Sequence, residues 1–337
     1  RGDVTNASGV GGELMSIGVL GGGSCFALDY ARHLVDSNTH RFGIGRSGPK
    51  ERAFWRPGAP YEFHALHIGR QLDETMAVLD KHKPEIIVNF AAQGEGAASF
   101  GANAPDFFDT NCTALVRLVL ELQKRSYLKR FVHIGTSELY GSTEKPAKET
   151  DPLRPSSPYA ISKAAFDQYL VAMHKTSGFP MNIVRPSNCF TEGQQLYRVI
   201  PKAIVYALSG KKLPLHGGGK AQKSYLHATD LSKAISAVIE RAPVGKIYNV
   251  APPSAISIAA VVHTVAEACG ISFEELVEEV PDRVGQDARY ALDATEIARD
   301  CLWTPTINLA RGIDLMVAWV RKYPELLTYE TEYRHRQ

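Results

Sequence analysis

Short apolar runs alternate with amphipathic segments along the first half of the chain. A run of four to six apolar residues predicts a buried strand, and apolar residues recurring every three to four positions predict a helix. The predicted strands are 15–20, 41–44, 86–90, 130–134 and 181–184, and the predicted helices are 27–34, 71–82, 107–125 and 159–176. Because strands of this kind are buried on both faces and helices separate them, the pattern predicts an α/β fold with a Rossmann-type doubly wound parallel sheet.

The alternation weakens beyond residue 188, where we predict helices at 201–209 and 226–242 and a turn at 217–219. A smaller mixed α/β C-terminal lobe is therefore expected beside the sheet. The expected segments are a flexible arm at 1–12, a Rossmann domain at 13–188 with a return segment at about 224–250, and the second lobe at 189–223 and 251–330.

Composition excludes several classes of protein. Of the 337 residues, 44% are hydrophobic and 22% are charged, which excludes a disordered, collagen-like or coiled-coil chain. Lysine and arginine total 38 against 36 for aspartate and glutamate. The net charge is therefore too small to indicate binding to nucleic acid or a membrane surface. No apolar stretch is long enough to span a bilayer, and residues 1–12 lack a signal-peptide core. We expect neither nucleic acid nor a membrane as a partner.

The spacing of cysteines and histidines bears on metals and on redox compartment. The five cysteines show no CxxC spacing, so they do not indicate a disulfide framework or a structural zinc site. The eleven histidines show no HxxxH spacing, and we expect no catalytic metal. The cysteine usage predicts a protein of the reducing cytoplasm.

A glycine cluster between the first strand and the first helix is typical of a phosphate-binding turn, in which the helix N-terminus attracts a pyrophosphate. A GxxGxxG spacing would fall on Gly21, Ser24 and Ala27, of which only the first is glycine. An ordinary strand-to-helix turn is the alternative. The residues expected to contact a dinucleotide here are Gly21, Gly23, Ser24, Cys25 and Phe26.

The end of the second strand bears on the type of dinucleotide. NAD-specific folds carry an acidic residue there for the ribose 2′-hydroxyl, whereas this chain has Arg46, followed by Lys50 and Arg52. A cation would accept a 2′-phosphate, so NADP is favoured and NAD remains possible. The alternative is that these cations are solvated loop charges.

Polar residues follow the fourth strand at Thr136-Ser137-Glu138, and Tyr159 and Lys163 lie four apart on the next helix. Lowering a phenol pKa by about three units requires roughly 4 kcal/mol. One ammonium about 4 Å away supplies on the order of 4 kcal/mol at an effective dielectric of about 20. A Tyr and a Lys at this spacing are commonly solvent-exposed residues without a catalytic role. Their combination with a polar cluster at the carboxyl end of a strand indicates a catalytic site.

These residues resemble the extended short-chain dehydrogenase/reductase family, which includes the nucleotide-sugar epimerases and dehydratases. The resemblance covers about residues 15–323, and its most specific parts are TSELYG at 136–141 and YxxxK at 159–163. Weaker matches follow the order of the family's motifs, and they are Asn111, RPSN at 185–188 with Gly193 and Gln194, GGGKAQKSY at 217–225, and DRVGQD at 282–287.

The resemblance implies a role for each matching residue. Tyr159 would take a proton from a sugar hydroxyl, Lys163 would tune it and hold the nicotinamide ribose, and Thr136 would hydrogen-bond the sugar. The other implied cofactor contacts are Arg46, Ala91 and Asn111. The implied substrate contacts are Glu95, Asn188, Arg198, Lys223 and Arg283, of which the last three would meet the phosphates of a nucleotide sugar.

Glu138 favours a 4,6-dehydratase among the family's reactions, because that reaction needs a base for the sugar C5 proton. The implied sequence is hydride transfer from C4 to the dinucleotide, loss of water across C5 and C6, and hydride return to C6. The dTDP-glucose enzymes have Asp-Glu here, whereas Ser137-Glu138 resembles the GDP-mannose dehydratases and UDP-glucuronate decarboxylases. Glu138 would then have to shuttle the proton itself, with its pKa raised toward neutrality.

Three alternatives stay open: a nucleotide-sugar 4-epimerase, a UDP-glucuronate decarboxylase, and a non-catalytic nucleotide-sugar-binding protein. The family also implies a homodimer through helices 107–125 and 159–176, although burial within one chain explains their apolar faces equally well.

Overall fold

The structure is a computed structural model that describes residues 15–34, 39–48, 62–281 and 289–333. The strands are β1 (Met15–Leu20), β2 (Thr39–Gly45), β3 (Glu62–Ala65), β4 (Ile86–Asn89), β5 (Arg130–Ile134), β6 (Met181–Pro186), β7 (Asn188–Phe190), β8 (Leu213–His216), β9 (Gln222–Lys223), β10 (Tyr225–His227), β11 (Ile247–Val250), β12 (Ile256–Ser257), β13 (Val277–Val280) and β14 (Arg289–Tyr290). The α-helices are α1 (Cys25–His33), α2 (Leu72–His82), α3 (Ala104–Phe108), α4 (Ala114–Leu122), α5 (Pro158–Ser177), α6 (Val199–Leu208), α7 (Ala228–Arg241), α8 (Ile258–Cys269), α9 (Phe273–Leu276), α10 (Thr295–Cys301) and α11 (Leu309–Lys322). The expected arm at 1–12, together with Lys50, Arg52 and Arg283, lies outside the described residues.

Seven parallel strands form the main sheet, in the order β11-β6-β5-β4-β1-β2-β3. This order confirms the predicted Rossmann-type doubly wound sheet. The chain runs outward in opposite directions from β1 and β4, so the strand order reverses between them. Ligands of such sheets bind at this reversal, beyond the carboxyl ends of the strands.

Side-chain caps decide where the helices of the sheet begin. Ser24 accepts a hydrogen bond from the Ala27 N–H at 3.2 Å, and α1 therefore begins at residue 25, before the predicted start. Ser157 caps α5 in the same way through the Ala160 N–H at 3.1 Å, and proline fills the first helical position.

Three apolar cores hold the molecule together. Helices α1, α7 and α10 cover one face of the sheet, and α2, α4 and α5 cover the other. Helices α6, α8 and α11 form the third core, in the C-terminal part of the chain. The buried Asp230 on α7 ties these parts together, because its carboxylate accepts the Thr306 and Ile307 N–H groups at 2.8 and 2.7 Å. No described helix is long and apolar enough to cross a membrane.

The structure differs from the predicted elements at several points, among them strand β11 and helices α8 and α11, for which no element was predicted. The helix predicted at 107–125 is interrupted by a π-helical turn at Asp109–Thr113. The first two residues of the helix predicted at 226–242 belong to β10, which pairs with β7. The edge strand β3 was not predicted, because its four residues are only half-buried and show no continuous apolar run.

Candidate active site

The loops after β1, β2 and β4 enclose a cavity at the carboxyl edge of the sheet. Its lining includes Gly21, Gly23, Ser24, Arg46 and Ala91. The cavity therefore lies at the reversal of strand order, where the sequence analysis expects a dinucleotide.

The turn after β1 needs glycine at two positions, because neighbouring backbone leaves no room there for a side chain. Gly21 has φ +67°, and a Cβ there would lie 2.6 Å from the Ala91 nitrogen. A Cβ on Gly23 would lie 2.0 Å from the Ser47 carbonyl oxygen. Cys25 is the buried first residue of α1 and Phe26 is half-buried behind it. The turn thus forms a tight cradle at the N-terminus of α1, and its residues fit a pyrophosphate-binding turn.

Arg46 is exposed directly after β2 and lines the same cavity. It also lines a neighbouring cavity, to which Arg70 and Arg117 contribute two further arginine side chains. Asp106 and Asp109 line that cavity as well.

Asn111 lies in the π-helical turn between α3 and α4 and is fully buried. Its Oδ1 accepts the Gln93 N–H at 2.7 Å, and its Nδ2 donates to the Gln93 carbonyl and the Ser162 Oγ, both at 3.0 Å. Asn111 therefore fixes the loop after β4 against α5. Gln93 was missed in the sequence analysis, and its contact with Asn111 depends on the extra residue of the π turn.

The Thr136-Ser137-Glu138 cluster opens a 3₁₀ turn after β5. The Thr136 hydroxyl caps this turn by accepting the Glu138 N–H at 3.3 Å, and Ser137 is buried. A Cβ on Gly96 would lie 3.0 Å from the Glu138 Oε2, so this carboxylate oxygen lies close against the Gly96 backbone.

Tyr159 lies at the start of α5, where its N–H donates to the Ser99 Oγ at 3.0 Å. Its ring meets Phe107 edge-on at 6.3 Å between centroids. Burial raises the pKa of Tyr159 above its ordinary value, and the Glu138 carboxylate raises it further, while a hydrogen bond with Thr136 acts in the opposite direction. The three side chains are thus brought together, and the phenol is protonated at neutral pH.

Lys163 is buried one helical turn after Tyr159. Its Nζ donates to the Ile134 carbonyl at 2.7 Å and is 3.2 Å from the His133 Nε2. Burial lowers the pKa of Lys163 to about 8, and the charge of Asp167 partly opposes this shift. The ammonium is held at the end of β5, and its tuning of the Tyr159 phenol stays a prediction.

A buried polar network lies behind these residues. Arg185 donates from Nε to the Asp167 Oδ2 at 2.9 Å and from Nη1 to the Tyr140 hydroxyl at 2.7 Å. The Tyr140 hydroxyl donates to the Asn249 Oδ1 at 2.9 Å, and His133 contacts Asp167 at 3.4 Å.

The sequence analysis missed this network, although a signal for it exists. Each of four largely apolar strands carries a polar residue near its carboxyl end, at Asn89, His133, Arg185 and Asn249. In the sheet Asn89 pairs with His133, and Arg185 pairs with Asn249.

The expected substrate residues lie in three places. Arg198 Nη1 forms an ion pair with the Glu95 Oε2 at 2.9 Å, and both charges influence the pKa of Tyr159. Glu95 has φ +104°, a strained conformation for a residue with a side chain. The Oδ1 of Asn188 is buried and has no hydrogen-bond partner among the described residues. Lys223 lies over the Tyr290 ring at 5.3 Å from its centroid.

Two tyrosines extend the site beyond the residues expected from sequence. Tyr197 precedes Arg198 and meets Tyr333 edge-on at 5.1 Å between centroids. The Tyr333 hydroxyl accepts a hydrogen bond from the Gln93 Nε2 at 3.4 Å. The end of the described chain therefore contacts the loop after β4. No local sequence pattern predicts this contact, because the two residues are far apart in the chain.

A family model described as "NAD dependent epimerase/dehydratase family" matches residues 18–251. The chain belongs to this family. The resemblance drawn from the TSELYG and YxxxK motifs is thereby confirmed, and the family's nicotinamide dinucleotide agrees with the cradle at Gly21 and Gly23.

Family members of known name include dTDP-glucose 4,6-dehydratases. The enzyme of Streptomyces niveus is 33% identical over 238 residues, which cover 70% of each chain. The enzyme of Xanthomonas campestris pv. campestris strain B100 is 33% identical over 263 residues, covering 72% of this chain and 74% of its relative. The Bacillus anthracis enzyme in complex with NAD has 29% identity and a TM-score of 0.82, covering 92% of this chain and 98% of that one.

The buried ammonium of Lys163 predicts a pH-dependent stability. Its pKa is about 8 in the folded chain and about 10.4 when unfolded, so between these values the unfolded chain binds more protons. The free energy of unfolding should therefore rise with pH across this window, by about 3 kcal/mol relative to Lys163→Met.

Urea unfolding of the wild type and Lys163→Met between pH 7.5 and 10.5, followed by circular dichroism, measures this difference. Lys175→Met is the matched control, because Lys175 is exposed on the same helix. A difference that stays flat or falls with rising pH would contradict the burial of the Lys163 ammonium.

Proposed function

We propose that this protein is a nucleotide-sugar 4,6-dehydratase, which removes one water to leave a 4-keto-6-deoxy sugar nucleotide. The observation that carries the proposal is the convergence of Thr136, Glu138 and Tyr159 at the carboxyl end of β5. Glu138 is close enough for its charge to raise the pKa of the Tyr159 phenol. The named relatives at 33% identity, which are dTDP-glucose 4,6-dehydratases, support the same reaction.

Each of the three side chains has a task in this reaction. Tyr159 would act as the phenolate, which requires the Lys163 ammonium to turn toward it and lower the pKa that burial raises. The phenolate then accepts the proton of the C4 hydroxyl, which Thr136 orients by a hydrogen bond. The carbonyl formed at C4 acidifies the C5 proton, and Glu138 removes it. Because Ser137 is a poor general acid, Glu138 delivers the same proton to the C6 hydroxyl, which leaves as water. One C–H and one C–O bond break, and a C5–C6 double bond forms. The hydride removed from C4 would then return to C6 while a proton is added at C5, which gives the 4-keto-6-deoxy product.

The cradle of the first turn would hold the dinucleotide. Gly21, Gly23 and Ser24 line the cavity at the start of α1, and Ala91 closes it from the end of β4. A bound nicotinamide dinucleotide supplies reversible acceptance of a hydride. Lys163 would reach the ribose by leaving its hydrogen bond to the Ile134 carbonyl.

Cations beyond Tyr159 would hold the substrate's phosphates. Arg198 is kept in place by its 2.9 Å ion pair with Glu95, which leaves the rest of its guanidinium fork for a pyrophosphate. The Oδ1 of Asn188, which has no hydrogen-bond partner among the described residues, would accept a hydrogen bond from a substrate hydroxyl. Lys223 and Arg283 complete the proposed phosphate contacts.

Product mass tests the reaction most directly. The purified protein is incubated with NADP⁺ or NAD⁺ and a panel of GDP-, dTDP-, UDP- and CDP-sugars. We expect one sugar nucleotide to lose the mass of one water. Glu138→Gln and Tyr159→Phe should each lower kcat by about 10²- to 10⁴-fold, the usual contribution of a general acid or base.

The control is Glu144→Gln, since Glu144 is exposed nearby and should leave kcat unchanged. Loss of carbon dioxide would make the protein a decarboxylase, and unchanged mass with altered stereochemistry would make it an epimerase. Tight binding without conversion of any sugar would contradict an enzymatic function.

We propose further that NADP is the preferred dinucleotide. Arg46 stands after β2, where NAD-specific folds carry an acidic residue, and Arg70 and Arg117 share its neighbouring cavity. A guanidinium group binds a 2′-phosphate through two charge-assisted hydrogen bonds, while a 2′-hydroxyl offers it no negative charge.

Calorimetric titration with NADP⁺ and NAD⁺ measures this preference. Arg46→Ala should weaken NADP⁺ binding by roughly tenfold or more and leave NAD⁺ binding unchanged, because each hydrogen bond to a charged group contributes about 1.5–3 kcal/mol. Arg311→Ala, an exposed arginine on α11, is the control. Equal weakening of both dinucleotides, or tighter binding of NAD⁺ by the wild type, would contradict the preference.

We propose that the protein is a homodimer through α4 and α5. These two neighbouring helices leave large apolar side chains in solvent, with Leu120 47% and Ile161 43% exposed. Exposed apolar side chains on adjacent helices are typical of an interface between copies of a chain.

Sedimentation equilibrium should give twice the chain mass, and Leu120→Glu should give the chain mass, because a carboxylate would be buried in the interface. Val244→Glu places the same charge at an exposed apolar position away from α4 and α5 and should remain dimeric. A wild type of single chain mass would contradict the interface.

A reducing cytoplasm is the compartment that we propose. Burial raises the pKa of the Cys112, Cys189, Cys269 and Cys301 thiols, which keeps them protonated and slow to oxidise.

A further inference from the structure

Three histidines and a glutamate meet at the outer edge of the sheet, and we refer to them as the edge histidine cluster. They are His40 on β2, Glu62 and His64 on β3, and His82 at the end of α2. Glu62 and His64 are two residues apart on a strand, so their side chains lie on the same face.

The cluster lies at the amino edge of the sheet, opposite to the catalytic residues. Its position follows from His82, whose carbonyl accepts a hydrogen bond from Ser16 near the start of β1 at 3.5 Å. Tyr159 and Glu138, in contrast, follow the carboxyl end of β5, which lies four strands from β3 in the sheet. The cluster therefore takes no part in the proposed dehydration.

The distances within the cluster match those between ligands of one metal ion. Glu62 Oε1 is 3.2 Å from the His64 Nε2 and 3.6 Å from the His82 Nε2. All three potential ligand atoms lie within 4.8 Å of one another. Bonds of about 2.0–2.1 Å in tetrahedral geometry place ligand atoms roughly 3.3–3.4 Å apart.

Two imidazole nitrogens of the cluster lack hydrogen-bond partners. Within the part of the chain that the structure describes, neither His64 Nε2 nor His82 Nε2 makes a hydrogen bond, although both atoms are buried. The His82 side chain is only 8% exposed, so this nitrogen is withdrawn from water and directed toward Glu62. Both nitrogens approach the Glu62 Oε1 without the geometry of a hydrogen bond, and a ligand bound between them would satisfy them.

The other nitrogen of His82 is already committed. His82 Nδ1 lies 3.0 Å from the His40 Nε2. In the tautomer in which His82 Nδ1 donates this hydrogen bond, the His82 Nε2 keeps a lone pair for a metal. Phe42 stacks on the His82 ring at 4.4 Å between centroids and holds its orientation.

We propose that Glu62, His64 and His82 bind one divalent transition-metal ion of the Zn²⁺ class, with His40 as a positioning residue that orients His82. Two neutral imidazoles and one carboxylate are a familiar ligand set for Zn²⁺, and water would complete the tetrahedron. Lys81, whose Nζ is 3.7 Å from the Glu62 Oε1, competes weakly for the carboxylate because it is exposed.

A bound ion would join the edge of the sheet to the helix that covers it. Among the described strands β3 pairs only with β2, and Glu62 and His64 would be anchored through the metal to α2. The residues that follow β3, from Leu66 to Gly69, line the proposed dinucleotide cavity. The ion would therefore stabilise the outer strand that leads into that cavity.

Titration of untagged protein with ZnCl₂ tests the site after treatment with EDTA and removal of the chelator. Isothermal calorimetry should give one ion per chain. His82→Gln and His64→Gln should each weaken binding at least about tenfold, and His40→Gln should weaken it by about 10- to 100-fold if it orients His82 as an outer-shell partner. His263→Gln is the matched control, because His263 is an exposed histidine beside Glu267 on α8 and should not alter binding.

Two measurements keep the test independent of how well the variants fold. The unmodified protein loaded with Co²⁺ should show the intense visible bands of tetrahedral coordination. Zn²⁺ should raise its thermal unfolding midpoint, with no rise in folded His82→Gln, because only the native state holds the site. Absence of stoichiometric binding, or binding that is unchanged in the His64→Gln and His82→Gln variants, would overturn the proposal and leave the proposed dehydration unaffected.

Discussion

The active site depends on a buried ion pair between Arg185 on β6 and Asp167 on α5. Both side chains are almost completely inaccessible to water, and the guanidinium also donates to the Tyr140 hydroxyl. Removing one partner of such a pair leaves an uncompensated buried charge, which typically costs about 3–5 kcal/mol. The pair therefore holds α5 against the sheet about one turn after Lys163 and two turns after Tyr159.

The same ion pair explains why Gly135 follows β5. A Cβ there would lie 3.1 Å from the Arg185 Cγ and 3.3 Å from the Asp167 Oδ2, so a larger residue would push the pair apart. The charge of Asp167 also partly offsets the burial of the Lys163 ammonium. Thr136 and Glu138 come immediately afterwards, and their placement is thus coupled to the network beneath them.

Strain and irregular backbone are concentrated around the proposed substrate. Glu95 has a positive φ and holds Arg198 across the site, and the π-helical turn brings Asn111 to the backbone of Gln93. Such backbone conformations are unfavourable by themselves, and they persist only where surrounding contacts stabilise them. At the amino edge of the sheet, strands β2 and β3 and the end of α2 assemble the edge histidine cluster, so the two edges can serve different ligands.

The sequence by itself determined the features that depend on neighbours along the chain. The alternation of apolar strands and helices specified the doubly wound sheet, and the four-residue spacing placed Tyr159 and Lys163 on one helical face. It did not determine the partners of Lys163, the ion pair of Glu95 with Arg198, or the meeting of Glu62 and His64 with His82. Those contacts join residues that are far apart in the chain, and only the strand order and the packing of helices on the sheet bring them within reach. Local periodicity carries no information about such distances, so they were decided by the tertiary structure.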